Sequence, residues 1–191
     1  MYRRILLLST VALSLTACSP PVSIGESNKS ATYQRKISRV LVARVFTNPL
    51  VTEKQGNAFI QVDELQQSLT AKWSPLGVTW QVVDIDRTAD RKKVTESAIE
   101  SSGSTEVMEL QIKSARIIGS FFRVVDGYVL DASLIDVGEK KRVWRTEVEF
   151  KPFASGGRAR NGAAGSAVSH QDDANELIDV LTTKLKADGL L

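Results

Sequence analysis

Residues 37–46 read Ile37-Ser38-Arg39-Val40-Leu41-Val42-Ala43-Arg44-Val45-Phe46. Val40, Leu41, Val42 and Ala43 are apolar without a break, and β-branched residues dominate the stretch. A half-exposed strand would alternate. An unbroken run of this length predicts a strand buried on both faces, as in a sheet covered by helices. Asn48-Pro49 ends it.

The residues that follow predict what covers that strand. Phe59, Val62, Leu65, Leu69 and Trp73 recur three or four apart and form one stripe, which predicts a helix over 58–73. Asp63 and Glu64 lie early in it and Lys72 late, as the helix dipole favours. Pro75 and Gly77 stop it. Residues 78–85 (Val-Thr-Trp-Gln-Val-Val-Asp-Ile) predict the next strand. Strand, helix and strand with short joints imply a right-handed crossover and a parallel pair.

Residues 90–102 form a weaker helix, with Val94, Ala98 and Ile99 as a thin stripe and Gly103 at the C-terminal cap position. Over 105–118, Met108, Leu110 and Ile112 alternate with Glu109, Gln111 and Lys113, as in a strand with one wet side. Residues 121–137 are extended too. There Asp126-Gly127 reads either as a tight hairpin turn or as a bend into one long strand from Tyr128. Gly138-Glu139-Lys140-Lys141 makes a turn, and Trp144, Thr146, Val148 and Phe150 then alternate with charged neighbours, which completes an antiparallel meander. Ser169 and Asp172 form a capping-box-like start to a last helix with Leu177, Ile178, Leu181 and Leu185 as its stripe. Gly189 closes it, and Leu190 and Leu191 are expected to fold back. The expected class is α/β (α+β), a single mixed sheet in the order β-α-β-α-β-β-β-α with helices packed on it. The globular domain is placed at 36–191. Residues 154–170, with Gly156, Gly157, Gly162 and Gly165, bury too little to be anything but a mobile loop.

Upstream, residues 18–35 contain Pro20, Pro21, Gly25 and several Ser, Asn and Lys, and read as a flexible tether. Residues 1–17 open with Arg3 and Arg4 and continue with an apolar core over 5–15, the pattern of a secretory signal peptide. That core is about half the ~20 residues a spanning helix needs. Removal of the leader leaves 174 of 191 residues, one ordinary domain, and lowers the formal charge from +3 to +1. A nearly neutral body gives no grounds for a nucleic-acid partner.

Leu15-Thr16-Ala17-Cys18 resembles the lipobox of bacterial lipoproteins. The resemblance implies that Cys18 becomes the first mature residue and carries lipid on its sulfur and amine. Cys18 is the only cysteine, so it has no disulfide partner within the chain. Ser19 after it implies, again by resemblance, an outer-membrane address facing the periplasm. Three further stretches carry a second resemblance: Val40-Leu41-Val42-Ala43; Ala132-Ser133-Leu134-Ile135-Asp136-Val137 leading to Val143-Trp144-Arg145; and the closing helix with Leu181, Leu185 and Asp188-Gly189-Leu190. With the order of elements, they are similar to periplasmic lipoproteins with TolB-N-, CsgG- or LpoB-like α/β domains. The chain departs from that pattern where Gly138-Glu139-Lys140-Lys141 stands in place of a Thr-Gly turn. Strands with an outward apolar band, which a secretion channel would need, are missing from the sequence.

The chemical inventory is thin. His170 is the only histidine, which excludes a multi-imidazole metal site, and cysteine ligands are absent. His170 with Asp172 lacks a serine in a nucleophile elbow, and helix capping explains both. Gly157 to Gly162 has a phosphate-loop step, but Ala163 and Ala164 stand where Lys and Ser/Thr are needed. Asp172-Asp173 and Asp84-Asp86 read as caps and strand ends, and Trp73, Trp80 and Trp144 as core. No catalytic residue, metal or cofactor is expected. What remains is contact surface: Lys140, Lys141, Arg142 and Arg145 around one turn, and Arg158 and Arg160 in the glycine-rich loop. The expected role is a membrane-anchored, non-catalytic docking or assembly component of the cell envelope with a periplasmic protein partner. The competing expectation is a binder of a lipid, glycan or cell-wall fragment that uses the 154–170 loop.

Overall fold

The computed structural model describes residues 22–46, 60–118, 124–150 and 171–191. The leader, Cys18 and the 154–170 loop lie outside the described residues, as do Phe59, Ser169 and His170.

The unbroken run at 40–43 falls in β3 (Arg39–Val45), where six of seven residues are buried. Alternate side chains of β3 feed two cores. Val40 and Val42 join one cluster, with Leu65 and Leu69 on α1 (Val62–Lys72), Trp73 at its C-cap, and Leu177, Leu181 and Leu185 on α3 (Gln171–Ala187). Leu41, Ala43 and Val45 join the other, against Val94, Ala98 and Ile99 on α2 (Arg91–Ser102). Two covers on one strand are why its sequence does not alternate.

β3 pairs in parallel with β4 (Thr79–Ile85) and with β5 (Glu106–Ile118). β6 (Val124–Asp136) and β7 (Lys141–Phe150) then extend the sheet antiparallel. With β1 (Val22–Ile24) and β2 (Asn28–Lys29), the mixed sheet runs β4-β3-β5-β6-β7-β1, and β2 also pairs with β7. The expected α/β class, mixed sheet and helix placement are therefore observed. α1 begins at Val62, later than the stripe suggests, with Gln61 and Glu64 forming a capping box. α2 ends as expected at Gly103, at φ 62°, and its start is capped by Asp90, whose side chain accepts the Lys93 N–H. Leu190 folds back and is fully buried, its N–H on the Leu185 carbonyl.

Two expectations are corrected. The first is the tether. Val22–Ile24 and Asn28–Lys29 are strands, β1 and β2, laid antiparallel along β7. Val22 and Tyr33 are buried, and the Ile37 N–H reaches the Leu190 carbonyl at 2.8 Å. The polar content that suggests a free linker is used in contacts: the Ser27 hydroxyl donates to Asp188 Oδ2 at 2.5 Å and Lys29 Nζ to the Asp188 carbonyl at 2.7 Å. The second is Asp126-Gly127. It is neither a hairpin turn nor a bend before a strand, but lies within β6, where Gly127 pairs with Arg116 beside a register slip. A bulge can use a glycine as readily as a turn can, so the dipeptide alone does not decide between them.

Candidate functional site

The β6–β7 turn, residues 137–140, carries the basic group expected from the sequence. Asp136 builds it from below. That carboxylate is fully buried; it accepts the Glu139 N–H at 2.7 Å and forms an ion pair with Arg35, whose side chain remains half exposed. The Val137 N–H reaches the carbonyl of Thr105, the residue just ahead of β5. Lys140 adopts φ 54°, the one positive φ at a non-glycine among the described residues. The turn is thus fixed on both sides, and Lys140, Lys141 and Arg142 project from it exposed. None of the three has an ion-pair partner among the described residues.

Arg145 does not belong to that group. The β6–β7 register steps from Leu134↔Trp144 to Ile135↔Arg142, skipping Val143. Past this irregularity, Arg145 donates Nε and Nη2 to Asp131 at 2.7 and 2.9 Å. The Asp131 hydrogen bonds and charge push its guanidinium pKa up, so the charge is fixed and held by a partner. Arg158 and Arg160 lie outside the described residues. Lys36 and Arg39, which the sequence reading did not single out, are exposed at the same end of the sheet; the Arg39 carbonyl accepts the Thr105 N–H.

Beneath the basic end lies a buried acidic layer that composition gives no hint of. Glu106 and Asp136 are directly paired across β5 and β6. Directly opposed like charges destabilise a sheet unless compensated. Compensation comes from residues 33–35: the Tyr33 hydroxyl donates to Glu106 at 3.0 Å and Arg35 takes Asp136. Burial and the adjacent Glu106 carboxylate push the Tyr33 phenol up to about 12. Asp188 is a second knot, accepting from Ser27 and from Trp144 Nε1 at 2.7 Å. Burial raises its carboxyl, but the Ser27 and Trp144 hydrogen bonds, with Lys184 and Lys29 nearby, outweigh that and hold it below the ordinary carboxylate range.

The other candidates resolve into structure. Asp84 is in a two-pronged contact with Arg44, whose guanidinium also reaches the Ile60 carbonyl. Asp86 accepts the Thr88 N–H and hydroxyl, each at 2.7 Å, and these hold its carboxyl below the ordinary range. Trp73 and Trp144 are core, each with its indole N–H satisfied, on Thr182 and Asp188. Among the described residues no group of three or more His, Cys, Asp or Glu side chains is placed to hold a metal. No helix among them is long and apolar enough to cross a membrane.

No protein-family model matches the sequence, and no curated protein matches it. Among solved structures, the chain is similar to the PelC dodecamer from Paraburkholderia phytofirmans, at 13% identity and TM-score 0.47, covering 86% of this chain and 94% of that one. It is also similar to protein XCC0632 from Xanthomonas campestris, at 13% identity and TM-score 0.41, covering 85% and 94% of the two chains. A third, lipoprotein GNA1162 from Neisseria meningitidis, has 11% identity and TM-score 0.34 over 78% of this chain and 99% of that one. At such values the likeness is one of chain course, and it assigns no activity, ligand or partner.

Proposed function

We propose that the protein is a periplasmic envelope lipoprotein, held on the outer membrane by lipid on Cys18, whose body docks with a periplasmic protein partner and does no catalysis itself. One observation carries the reading: a charged start, a short apolar core and Leu15-Thr16-Ala17-Cys18 stand in succession directly ahead of a folded α/β body. The Cys18 thiol, as thiolate, is the nucleophile that would take a diacylglyceryl group from a phospholipid as a thioether, with the phosphate headgroup leaving, and its freed amine would then take an acyl chain. Several acyl chains, at ~0.8 kcal/mol per buried methylene, hold a protein on a bilayer durably, whereas one short chain does not. The exposed Lys140, Lys141 and Arg142 supply a surface complementary to an acidic partner.

The test is mass spectrometry of the mature N-terminal peptide, alongside fractionation of Cys18→Ala. A diacylated or triacylated Cys18, and loss of membrane association in the variant, are the expected results. An unmodified thiol on a freely diffusing protein overturns the reading.

A further inference from the structure

We infer that the protein stands on its bilayer on the end of the sheet where β1 begins and β7 finishes, and presents the Lys140–Lys141–Arg142 turn away from that membrane. The inference rests on the lipid-anchor reading above and adds which surface meets the lipid headgroups.

Three residues lie between Cys18 and Val22, so four Cα–Cα steps join them. At ~3.5 Å per residue, even a fully extended link keeps the Cα of the lipidated residue within about 14 Å of Val22. Val22 is a fixed point. It is 2% exposed and pairs with Phe150, and the Glu176 carboxylate on α3 accepts its N–H. The 18-residue tether suggested by composition is therefore cut to a short joint.

The direction of the chain sets the rest. Val22 pairs with Phe150 and Ile24 with Val148, so the chain enters from beyond the Phe150 end and runs inward along β7. Lys141 lies at the opposite end of β7, a ten-residue strand. At ~3.4 Å per residue the two ends are roughly 30 Å apart. That is several times the Debye length of ~8 Å at physiological ionic strength, so the basic turn does not sense the headgroups at the anchor. The described side chains flanking the anchored end include Ser23, Glu149 and Asp172, which offer no attraction to an anionic surface that would tip the body over. The turn is left free to meet an acidic surface on the periplasmic side.

Lipidation consumes the only thiol, which makes the test direct. Ser23→Cys and Lys140→Cys each introduce a single label site at an exposed position. Each full mature lipoprotein is purified, checked by mass for acylated Cys18, spin-labelled and reconstituted in phosphatidylethanolamine–phosphatidylglycerol vesicles doped with a nickel-chelating lipid. The expected result is several-fold stronger paramagnetic relaxation at position 23 than at 140, where the label behaves as in solution. Relaxation at 140 equal to or above that at 23, in an acylated protein, overturns the orientation and leaves the anchor standing. An unacylated Cys18 overturns the anchor reading and the orientation with it.

Discussion

The two faces of the sheet are built from the same strands by alternate residues, yet they are stabilised by different physics. One face lies under α1 and α3 and is closed. The few polar groups drawn into it meet partners: Trp73 Nε1 on Thr182 at 2.8 Å, Ser68 on Asn175 at 2.8 Å, Tyr33 on Glu106. The other face has only α2, which places one buried residue, Ala98, over β3, β4 and the start of β5. At the start of α2 Arg91 pairs with Glu109 on β5, and beyond the reach of α2 the strands carry charge in pairs: Lys113 with Glu147, Arg145 with Asp131. Burial of apolar area supports the first face, at ~25 cal/mol per Å². Exposed ion pairs on the second contribute at most about 1 kcal/mol each. Substitutions on the closed face should therefore threaten the fold, and those on the open face should leave it standing.

The largest contrast is expected from one large-to-small change on each face. Trp73→Ala removes a side chain that is 1% exposed, belongs to the core under α1 and α3, and leaves Thr182 without its donor. The expected loss is about 3–5 kcal/mol. Val94→Ala on α2 trims a half-buried side chain and should cost about 1 kcal/mol. Urea denaturation of both in a soluble Cys18→Ala background checks the pair. Equal midpoints would mean that α2 covers its face as tightly as α1 and α3 cover theirs.

A second contrast concerns charge. Arg35 and Arg145 each hold an aspartate, but Asp136 is fully buried whereas Asp131 keeps 18% of its side-chain surface in water. Removing Arg35 leaves a buried carboxylate opposite Glu106. The cost of a stranded buried ion is about 3–5 kcal/mol. Arg35 itself is 56% exposed, which lets water screen the gap, and about 1–3 kcal/mol is the expected loss for Arg35→Ala. Calorimetric melting that shows Arg35→Ala no worse than Arg145→Ala would remove the distinction drawn between the two layers.

Much of this division is readable from residues alone, and the failures have a common cause. The unbroken 40–43 run, the α1 and α3 stripes, Gly103 and the Leu190 fold-back are signals within a few residues of one another, and the sequence reports them well. β1 was missed because three residues hold too little pattern and their partner, Phe150, is far along the chain. Arg145 was placed with the exposed turn because Asp131 meets it across a strand, not along one. Glu106 was within reach: it sits on the Met108 and Leu110 side of the β5 alternation, where an acid must find a partner.

The pH dependence should separate the Asp188 knot at the turn end from Glu176 at the anchored end. Asp188 is held below its ordinary 3.8. Its stabilisation is present above that value and is lost as pH falls through the depressed folded value. Glu176 runs the other way. Burial raises its carboxyl above 4.5, more than the Val22 N–H lowers it, and Asp173 and Asp179 add to the rise. Stability from this group is therefore lost as pH climbs from 4.5 through the raised value. Asp188→Asn should flatten the acid limb of the stability profile, and Glu176→Gln should flatten the decline just above 4.5. Denaturation midpoints between pH 3 and 6.5 read both, and an acid limb unchanged in Asp188→Asn would mean that the Ser27 and Trp144 contacts do not favour the ionised form.

The smallest effect is expected where the contacts look best. Arg145 and Asp131 meet through two hydrogen bonds of good length, and Glu147 lies 3.9 Å from Arg145. Geometry alone suggests a strong pair. Both side chains nevertheless face water in part, and long side chains lose rotamer freedom when held. The coupling energy from a cycle of Arg145→Ala, Asp131→Ala and the double variant should be about 0.2–1 kcal/mol, falling further in high salt. Glu147 is shared with Lys113: Arg145→Ala leaves Glu147 to Lys113, and Asp131→Ala leaves the freed guanidinium to Glu147, so each single variant regains part of what it loses and the apparent coupling falls. A salt-independent coupling of several kcal/mol would show that this face is dry when the protein is in use. It would then be a covered interface rather than the wet side of the sheet, and the docking surface would have to be moved from the turn to the strands.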